Sequence, residues 1–243
     1  MYEVLYSRQT IIKAIGEEGQ QKLADARILV VGCGGLGAPV LYYLTAMGIG
    51  HIGLCDNDVV SMSNLNRQVL FTMADIGAPK VIAANARIKA LNPNLQTDLY
   101  RQTMDMELAN DIVSQYDIIV DCLDNFKTRF ILNDTAVAAG KPLVHAGVEE
   151  LYGQFMTIIP GKSPCLRCLF PDGLKKETQK SQVGVIGPAP GVLGSMQALE
   201  VAKLLLGMQT ASDGLVTFDG VSIKMEKIKI ERNINCVCKD YLA

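Results

Sequence analysis

Arg27-Ile28-Leu29-Val30-Val31-Gly32-Cys33-Gly34-Gly35-Leu36-Gly37 joins an apolar strand, a glycine-rich turn and the first residues of a helix. The strand is read over 27–31 and the helix from Leu36 onward. Between them the turn brings backbone N–H groups close to phosphate at a helix N-terminus. Spaced glycines at Gly32, Gly34 and Gly35 after a buried strand are costly unless backbone must approach something closely. A tight turn without ligand is the competing reading of the same residues. Asp56 follows by about twenty residues, where an acidic group meets a ribose hydroxyl in dinucleotide-binding folds. That spacing does not separate adenosine in ATP from adenosine in a nicotinamide cofactor.

The distinction comes from what lies downstream. Asp56-Asn57-Asp58 leads into Ser63-Asn64-Leu65-Asn66-Arg67-Gln68, a polar segment with neither helical nor strand period. Lys80 opens a helix, where the dipole disfavours positive charge. A solvated surface lysine is the bland alternative, and contact of Arg67 and Lys80 with anionic oxygens is the sharper one. Asp124 follows the strand at 117–122 and so falls at the carboxyl edge of a sheet, where open α/β folds bind ligands. A carboxylate beside phosphates suits Mg²⁺, or it is the N-cap of the helix from Asn125, and both roles can coexist. Arginine, lysine and carboxylates around phosphate suit a triphosphate with its metal ion better than hydride transfer.

Outward from this centre, strands are predicted at 27–31, 51–56, 95–101, 117–122 and 142–147, and helices at 36–47, 79–91, 105–115 and 125–139. Pro79 fits the first position of its helix, where a missing N–H costs nothing. The alternation implies an α/β, Rossmann-like, mostly parallel sheet with helices on both faces. After Gly147 the pattern changes to a strand at 154–159, a glycine-rich helix at 188–206, and two antiparallel strands within 216–230 that meet near Asp219-Gly220. This antiparallel C-terminal part continues the sheet. The lysine-rich stretch from Asp172 to Gln182 is expected to be a mobile loop.

Composition narrows the class. With 49% hydrophobic and 20% charged residues over 243 positions, the chain is long and apolar enough for a substantial core. A net charge of −2 gives no electrostatic case for nucleic acid as a partner. The uncharged run from Ile28 to Cys55 raises a transmembrane alternative, but its seven glycines and Pro39 interrupt it twice. A bilayer span needs about 20 predominantly apolar residues in one helix, so no membrane role is expected. Seven cysteines and no export signal at Met1-Tyr2-Glu3-Val4 point to a reducing, cytoplasmic setting.

Cys165-Leu166-Arg167-Cys168 and Cys236-Val237-Cys238 are two separated cysteine pairs. Such an arrangement suits tetrahedral structural Zn²⁺. A redox dithiol is the alternative for the first pair, whose loop lacks the strand-to-helix start of thioredoxin-like motifs. Cys33, Cys55 and Cys122 lie in apolar contexts and read as packing residues. His51 and His145 sit in strands and read as structural.

In this order, GCGGLG at 32–37, DNDVVSMSNLNRQ at 56–68, PK at 79–80 and DCLDNFKTR at 121–129 resemble the sulfur-carrier adenylyltransferases, the ThiF, MoeB and HesA proteins related to ubiquitin-activating enzymes. PCLRC at 164–168, VGVIGPAPGVLGSMQALEVAK at 183–203 and RNINCVC at 232–238 extend the resemblance over nearly the whole chain. It implies one adenylation domain over 1–243, with a nucleotide-binding part at 1–147 and a zinc-bearing, carrier-binding part at 148–243. The implied reaction is attack of the Gly-Gly carboxylate of a small ubiquitin-like sulfur carrier on the α-phosphate of ATP. The resemblance implies Gly32, Gly34 and Gly35 at the phosphates, Asp56 at the ribose, and Ser63, Asn64, Arg67 and Lys80 around the triphosphate. It implies Asp124 at Mg²⁺, with neighbouring Asn125 in the nucleotide-binding set. Arg8 matches an arginine that the family donates to the neighbouring subunit's ATP, which implies a homodimer. The segment carrying Arg8 has too little apolar content to fold back independently.

Two departures qualify these implications. Relatives have C-x-x-C in the second cysteine pair, so Cys236 is the firmer Zn²⁺ ligand and participation of Cys238 stays open. Some relatives also carry a cysteine that bonds the activated carrier, four residues before the glycine matching Gly184, and here that position is Lys180. Sulfur is therefore expected from a separate donor protein, and no appended rhodanese domain is expected after Cys238. The pathway, thiamine, molybdopterin or another sulfur-transfer route, stays open, with the absent cysteine leaning to molybdopterin. Two further classes remain: a nicotinamide-dependent oxidoreductase, resting on the glycine turn and Asp56 alone, and a silent ubiquitin-like-protein binder, which would have no need of Arg67, Lys80 and Asp124.

Overall fold

The computed structural model describes residues 2–171, 184–236 and 238. The stretch expected to be a mobile loop, Asp172 to Gln182, lies outside them, as does Lys180. Among the described residues, eight strands form one sheet: β1 Arg27–Val31, β2 His51–Cys55, β3 Gln96–Tyr100, β4 Ile118–Asp121, β5 Leu143–Glu149, β6 Tyr152–Ile158, β7 Gly214–Asp219 and β8 Lys224–Lys229. Their spatial order is β3-β2-β1-β4-β5-β6-β7-β8. The first five are parallel to one another, and β6, β7 and β8 continue the sheet antiparallel. This is the α/β arrangement expected from the alternating pattern.

Burial explains the composition of the strands. β1 and β4 are covered on both faces, and their stretches 28–31 and 118–120 read as unbroken apolar runs, as central parallel strands do. On one face, α3 Gly16–Asp25, α4 Gly37–Ala46, α5 Lys80–Leu91 and α9 Pro188–Leu205 pack around Val30, Val120 and Val144. On the other, α6 Met106–Ile112, α7 Phe126–Ala138 and the single turn α8 Leu166–Leu169 pack around Leu29, Ile119 and Leu143. β8, by contrast, is exposed along its whole length.

Three local expectations are corrected. Pro79 stands just outside its helix, because its ψ of 133° keeps it extended and paired with Val59, and Lys80 becomes the first helical residue. The helix expected over 105–115 ends at Ile112 and tightens into a 3₁₀ turn over Val113–Gln115. The N-terminal segment does fold back, as α1 Tyr2–Leu5 and α2 Ser7–Thr10 ahead of α3. Tyr6 is 5% exposed, and the Gln9 side chain donates to Gln20 Oε1 (2.7 Å) and to the Met47 carbonyl (3.1 Å). One aromatic ring and one carboxamide do what a longer apolar stretch would otherwise do.

Candidate functional site

The strand order reverses direction at β1, whose neighbours β2 and β4 are reached by crossovers on opposite sides, which makes the gap between β1 and β4 a switch point for ligands. The glycine turn leaves β1 there. Gly32 has φ +99°, and a Cβ on it would meet the Cys122 carbonyl at 2.6 Å. A Cβ on Gly37 would strike the Gly32 carbonyl at 2.0 Å, so α4 starts hard against the turn. Gly32 donates to the Cys55 carbonyl (2.8 Å) and Cys33 to Asp56 Oδ2 (2.8 Å). The next amides, those of Gly34, Gly35 and Leu36, have no hydrogen-bond partner among the described residues. Unpaired backbone donors away from water are unfavourable, and three of them at the start of a helix make an anion cradle.

The polar segment closes over this cradle. A Cβ on Gly35 would lie 3.2 Å from Pro190 of α9 and 3.6 Å from the Arg67 carbonyl, and one on Gly187 would lie 3.3 Å from Arg67 Cα. Arg67 is thereby wedged between the turn and the start of α9. Its guanidinium donates to the Ser63 carbonyl (2.8 Å) and Asn66 Oδ1 (3.0 Å), and it has no carboxylate partner among the described residues. Asn64 Oδ1 accepts from the Ser61 amide (3.1 Å), and the Ser63 hydroxyl meets that of Ser61 (3.0 Å). These bonds fix the loop that carries Arg67.

Lys80 is neither a solvated surface lysine nor bare. It is 6% exposed, and its ammonium donates to Asp58 Oδ2 at 2.8 Å. Asp56 Oδ1 in turn accepts from the Asp58 amide (2.9 Å). Burial pushes the Cys33 thiol well up, Asp56 adds to the effect, and the Lys80 charge opposes it. Cys33 therefore holds its proton and is no nucleophile.

Asp124 stands two residues beyond Cys122, whose carbonyl touches Gly32. Its carboxylate is exposed and has no hydrogen-bond or ion-pair partner among the described residues. The capping alternative for it falls, since Asn125 Oδ1 accepts from the Thr128 amide (2.9 Å) and takes the N-cap of α7. Asn125 is thus engaged with its own helix. A free carboxylate beside an anion cradle fits a divalent cation bridging to phosphate.

The structure also gathers residues that sequence reasoning passed over. Gln68 is 5% exposed, its Nε2 lies 3.5 Å from a Cβ on Gly34, and its Oε1 is buried without a partner among the described residues. Asp121 is fully buried and accepts from His145 Nδ1 at 2.6 Å. Gln68 ends the polar segment and Asp121 ends an apolar strand. An acidic residue closing an apolar strand run is the signal that was available for Asp121. His51 is structural: its Nδ1 accepts from Arg27 (2.8 Å), so its Nε2–H donates to Asp98 (2.7 Å).

Arg8 is not part of this gathering. It is exposed in α2, which is tied to Met47 at the far end of α4. About 15 Å of helix, ten residues at ~1.5 Å each, separates that end from the glycine turn.

The four cysteines form a second centre, against α7 and away from the cradle. The sulfurs of Cys165, Cys168, Cys236 and Cys238 all lie within 4.8 Å of one another, including 3.5 Å for Cys165–Cys236 and 3.5 Å for Cys168–Cys238. A tetrahedral ion with ~2.3 Å bonds to sulfur separates its ligands by ~3.8 Å, so the donor set and spacing fit zinc. Cys238 is in reach despite the short C-x-C spacing, because Arg232 ties the tail to the Gly161 carbonyl (2.8 Å) and the Cys238 carbonyl (3.3 Å). Burial pushes the Cys165 thiol up, and that of Cys236 up to about 11.

Comparison with known proteins gives the family and the fold independently of the site. The chain is 42% identical over 97% of its length to a sulfur carrier protein adenylyltransferase of Thermus thermophilus, covering 90% of that protein. It is 41% identical over 96% of its length to the sulfur carrier protein ThiS adenylyltransferase of Escherichia coli, covering 94% of it. The crystal structure of Escherichia coli MccB with ATP superposes with a TM-score of 0.86 at 26% identity, over 96% of this chain and 74% of that one. A family model described as ThiF family matches residues 6–239. A family match over residues 6–239, together with relatives 41% and 42% identical over nearly the whole of both chains, places this chain in the ThiF family.

Proposed function

We propose that this chain is an adenylyltransferase that uses ATP to activate the C-terminal Gly-Gly carboxylate of a small ubiquitin-like sulfur carrier, releasing pyrophosphate. The observation that carries this reading is the row of unpartnered amides at Gly34, Gly35 and Leu36 beside Arg67. Curated relatives at about this similarity act on sulfur carrier proteins by name.

The nucleophile is a carboxylate, ionised at neutral pH, so no general base is needed. The chain's task is to align two anions and to stabilise charge on the phosphates. The amides of Gly34 and Gly35 and the guanidinium of Arg67 hold phosphate oxygens. Lys80, anchored on Asp58, adds a buried positive charge whose Coulombic effect is weakly screened. Asp56, already fixing the turn through Cys33, has lone pairs left for a ribose hydroxyl. Asp124 is the residue that would hold Mg²⁺, which when bound neutralises phosphate charge. Zn²⁺ on the four cysteines would tie the tail to α7 and take no part in chemistry. Arg8 cannot reach its own chain's cradle, which supports a homodimer in which it completes the partner's site. Sulfur would come from a separate donor protein, in the cytoplasm. Among the described residues no helix is long and apolar enough to cross a membrane.

The test is ATP–pyrophosphate exchange with candidate carriers, intact and lacking the final Gly-Gly. Exchange that needs Mg²⁺ and the free Gly-Gly carboxylate is the expected result. Thermal stabilisation by NAD(H) but not by ATP, with no exchange, would replace this reading by the oxidoreductase one.

A further inference from the structure

The loop that carries Asp124 is held by buried charges that no step above uses. Leu123, the residue before it, has both backbone groups engaged: its amide donates to Asp121 Oδ1 (2.9 Å) and its carbonyl accepts from Arg129 Nη2. The same Arg129 nitrogen donates to the Ala146 carbonyl of β5 (3.0 Å). Asp121 Oδ2 accepts from His145 and lies 3.7 Å from Arg129 Nε. Arg129 is 6% exposed, Asp121 and His145 are fully buried, and Arg129 Nε and His145 Nε2 have no hydrogen-bond partner among the described residues. On the other side of Asp124, Asn125 is pinned as the cap of α7.

We propose that Arg129, with Asp121, is the positioning residue that fixes the backbone of Asp124 so that its carboxylate faces the phosphate cradle. The proposal rests on the nucleotide reading above. A buried charge group with incomplete hydrogen bonding is seldom retained for stability, because its desolvation offsets its attraction. Here the charges converge on the two peptides that flank Leu123, and that residue precedes a carboxylate left without a partner among the described residues. Arginine is required, since one nitrogen spans two carbonyls while the planar group keeps Nε towards Asp121, a fork that lysine lacks. β5 leaves room for it: a Cβ on Gly147 would lie 3.3 Å from Arg129 Nη1. A merely structural Arg129 would anchor α7 to β5 and stack on Phe126, 5.2 Å away, with no dependence on Asp124.

A double-mutant cycle separates the two roles. Arg129→Gln and Arg129→Lys are made alone and with Asp124→Asn, in the full chain. Mn²⁺·ATP affinity is read by the electron paramagnetic signal of Mn²⁺, and pyrophosphate exchange and melting temperature are read beside it. If Arg129 acts through Asp124, Arg129→Gln weakens Mn²⁺·ATP binding about tenfold when Asp124 is present and less than about twofold when it is Asn. Equal losses in both backgrounds, in proportion to lost thermal stability, overturn the proposal. Should Arg129→Gln not fold, Gly147→Ala, which presses on the guanidinium from β5, is put through the same cycle and must show the same coupling. A wild-type chain that binds Mn²⁺·ATP without exchanging pyrophosphate sinks the adenylation reading while the cycle still decides the role of Arg129. A wild-type chain that binds no Mn²⁺·ATP removes Asp124 as a metal ligand and the proposal with it.

Discussion

At the cysteine corner, Arg167 meets Asp134 through both carboxylate oxygens (2.7–3.2 Å) and lies 4.4 Å over the Phe130 ring. Asn133, fully buried, accepts the Leu166 amide at 3.0 Å. The carboxyl edge of the parallel strands differs. Among the described residues, Asp124 has no partner there, Arg67 has no carboxylate, three amides of the turn are open, and Gln68 keeps an orphaned oxygen. Both regions are dense in polar side chains. In the first, polar groups are matched to one another and four sulfurs are left over for an ion. In the second, the unmatched groups are of both signs and point to a ligand that is itself anionic and metal-bound. Unmatched polarity, more than polarity as such, marks the site. The two regions should therefore respond to different insults.

The largest effect is expected at the corner. Removing metal with a strong chelator, or replacing Cys165 by Ser, should destabilise the fold by at least about 5 kcal/mol, since structural zinc contributes ~10–16 kcal/mol in small domains. For a chain of this length that corresponds to roughly 10–20 °C in Tm. Pyrophosphate exchange per folded molecule should not change. Metal analysis giving one zinc per chain, with Tm read before and after removal, checks this. Loss of exchange at unchanged Tm would break the contrast by making the corner part of the chemistry.

Arg67→Ala tests the other side of the contrast. Loss of one preorganised electrostatic stabiliser costs about 10²–10³-fold in rate, whereas a half-exposed residue without an ion pair contributes within about 0.5 kcal/mol to stability. Exchange should fall by that factor with Tm nearly unchanged. A variant with full exchange would put Arg67 outside the site. Lys80→Ala sharpens the point, because Lys80 is both buried and paired with Asp58, and it should lose activity and stability together.

Which parts were legible in the sequence follows from the same contrast. The parallel half declared itself because strands buried on both faces are unbroken apolar runs, and because glycines were placed where backbone meets backbone, as at Gly32 and Gly37. The residues around the cradle stood out by following the glycine turn, and their implied roles came from the resemblance to the sulfur-carrier adenylyltransferases. Burial of Lys80 and release of Asp124 from capping did not, since both depend on where neighbouring chain happens to run. The N-terminal helices were hidden for a related reason. Their docking rests on Tyr6 and Gln9, whose hold on Gln20 and Met47 spans 11 and 38 residues and leaves no periodic trace. The C-x-C spacing left Cys238 open, and only the path of the tail past Gly161 shows its sulfur within reach of the other three.

Arg8 lies outside both regions in its own chain, and a mixing experiment decides whether it belongs to the cradle of another. Arg8→Ala and Asp124→Ala chains are each expected to be inactive. If sites are shared across a two-fold dimer, a mixed dimer has one intact site and one with both defects. Complete exchange of equal amounts should then restore about a quarter of wild-type activity. No recovery, with subunit exchange verified by mass, would leave Arg8 out of a shared site.

The smallest effect concerns His145, buried beneath the carboxyl edge. Complete burial holds its imidazole below the ordinary value, and Arg129 adds to this, although the Nδ1–H bond to Asp121 works in the opposite direction. The sign follows from proton counting. Below the unfolded value of about 6.5 the unfolded chain takes up a proton that the folded chain refuses, so stability is full above pH ~6.5 and declines as pH falls through it. One group contributes a slope of at most about 1.4 kcal/mol per pH unit. His145→Gln keeps a donor for Asp121 and removes the titration. Its urea unfolding free energy between pH 5 and 7 should therefore be flatter than that of the wild type, by up to that slope. Identical profiles would mean that folded His145 takes a proton as readily as unfolded histidine. Asp121 and Arg129 would then be arranged around a cation, and the clamp on Leu123 would itself be sensitive to pH.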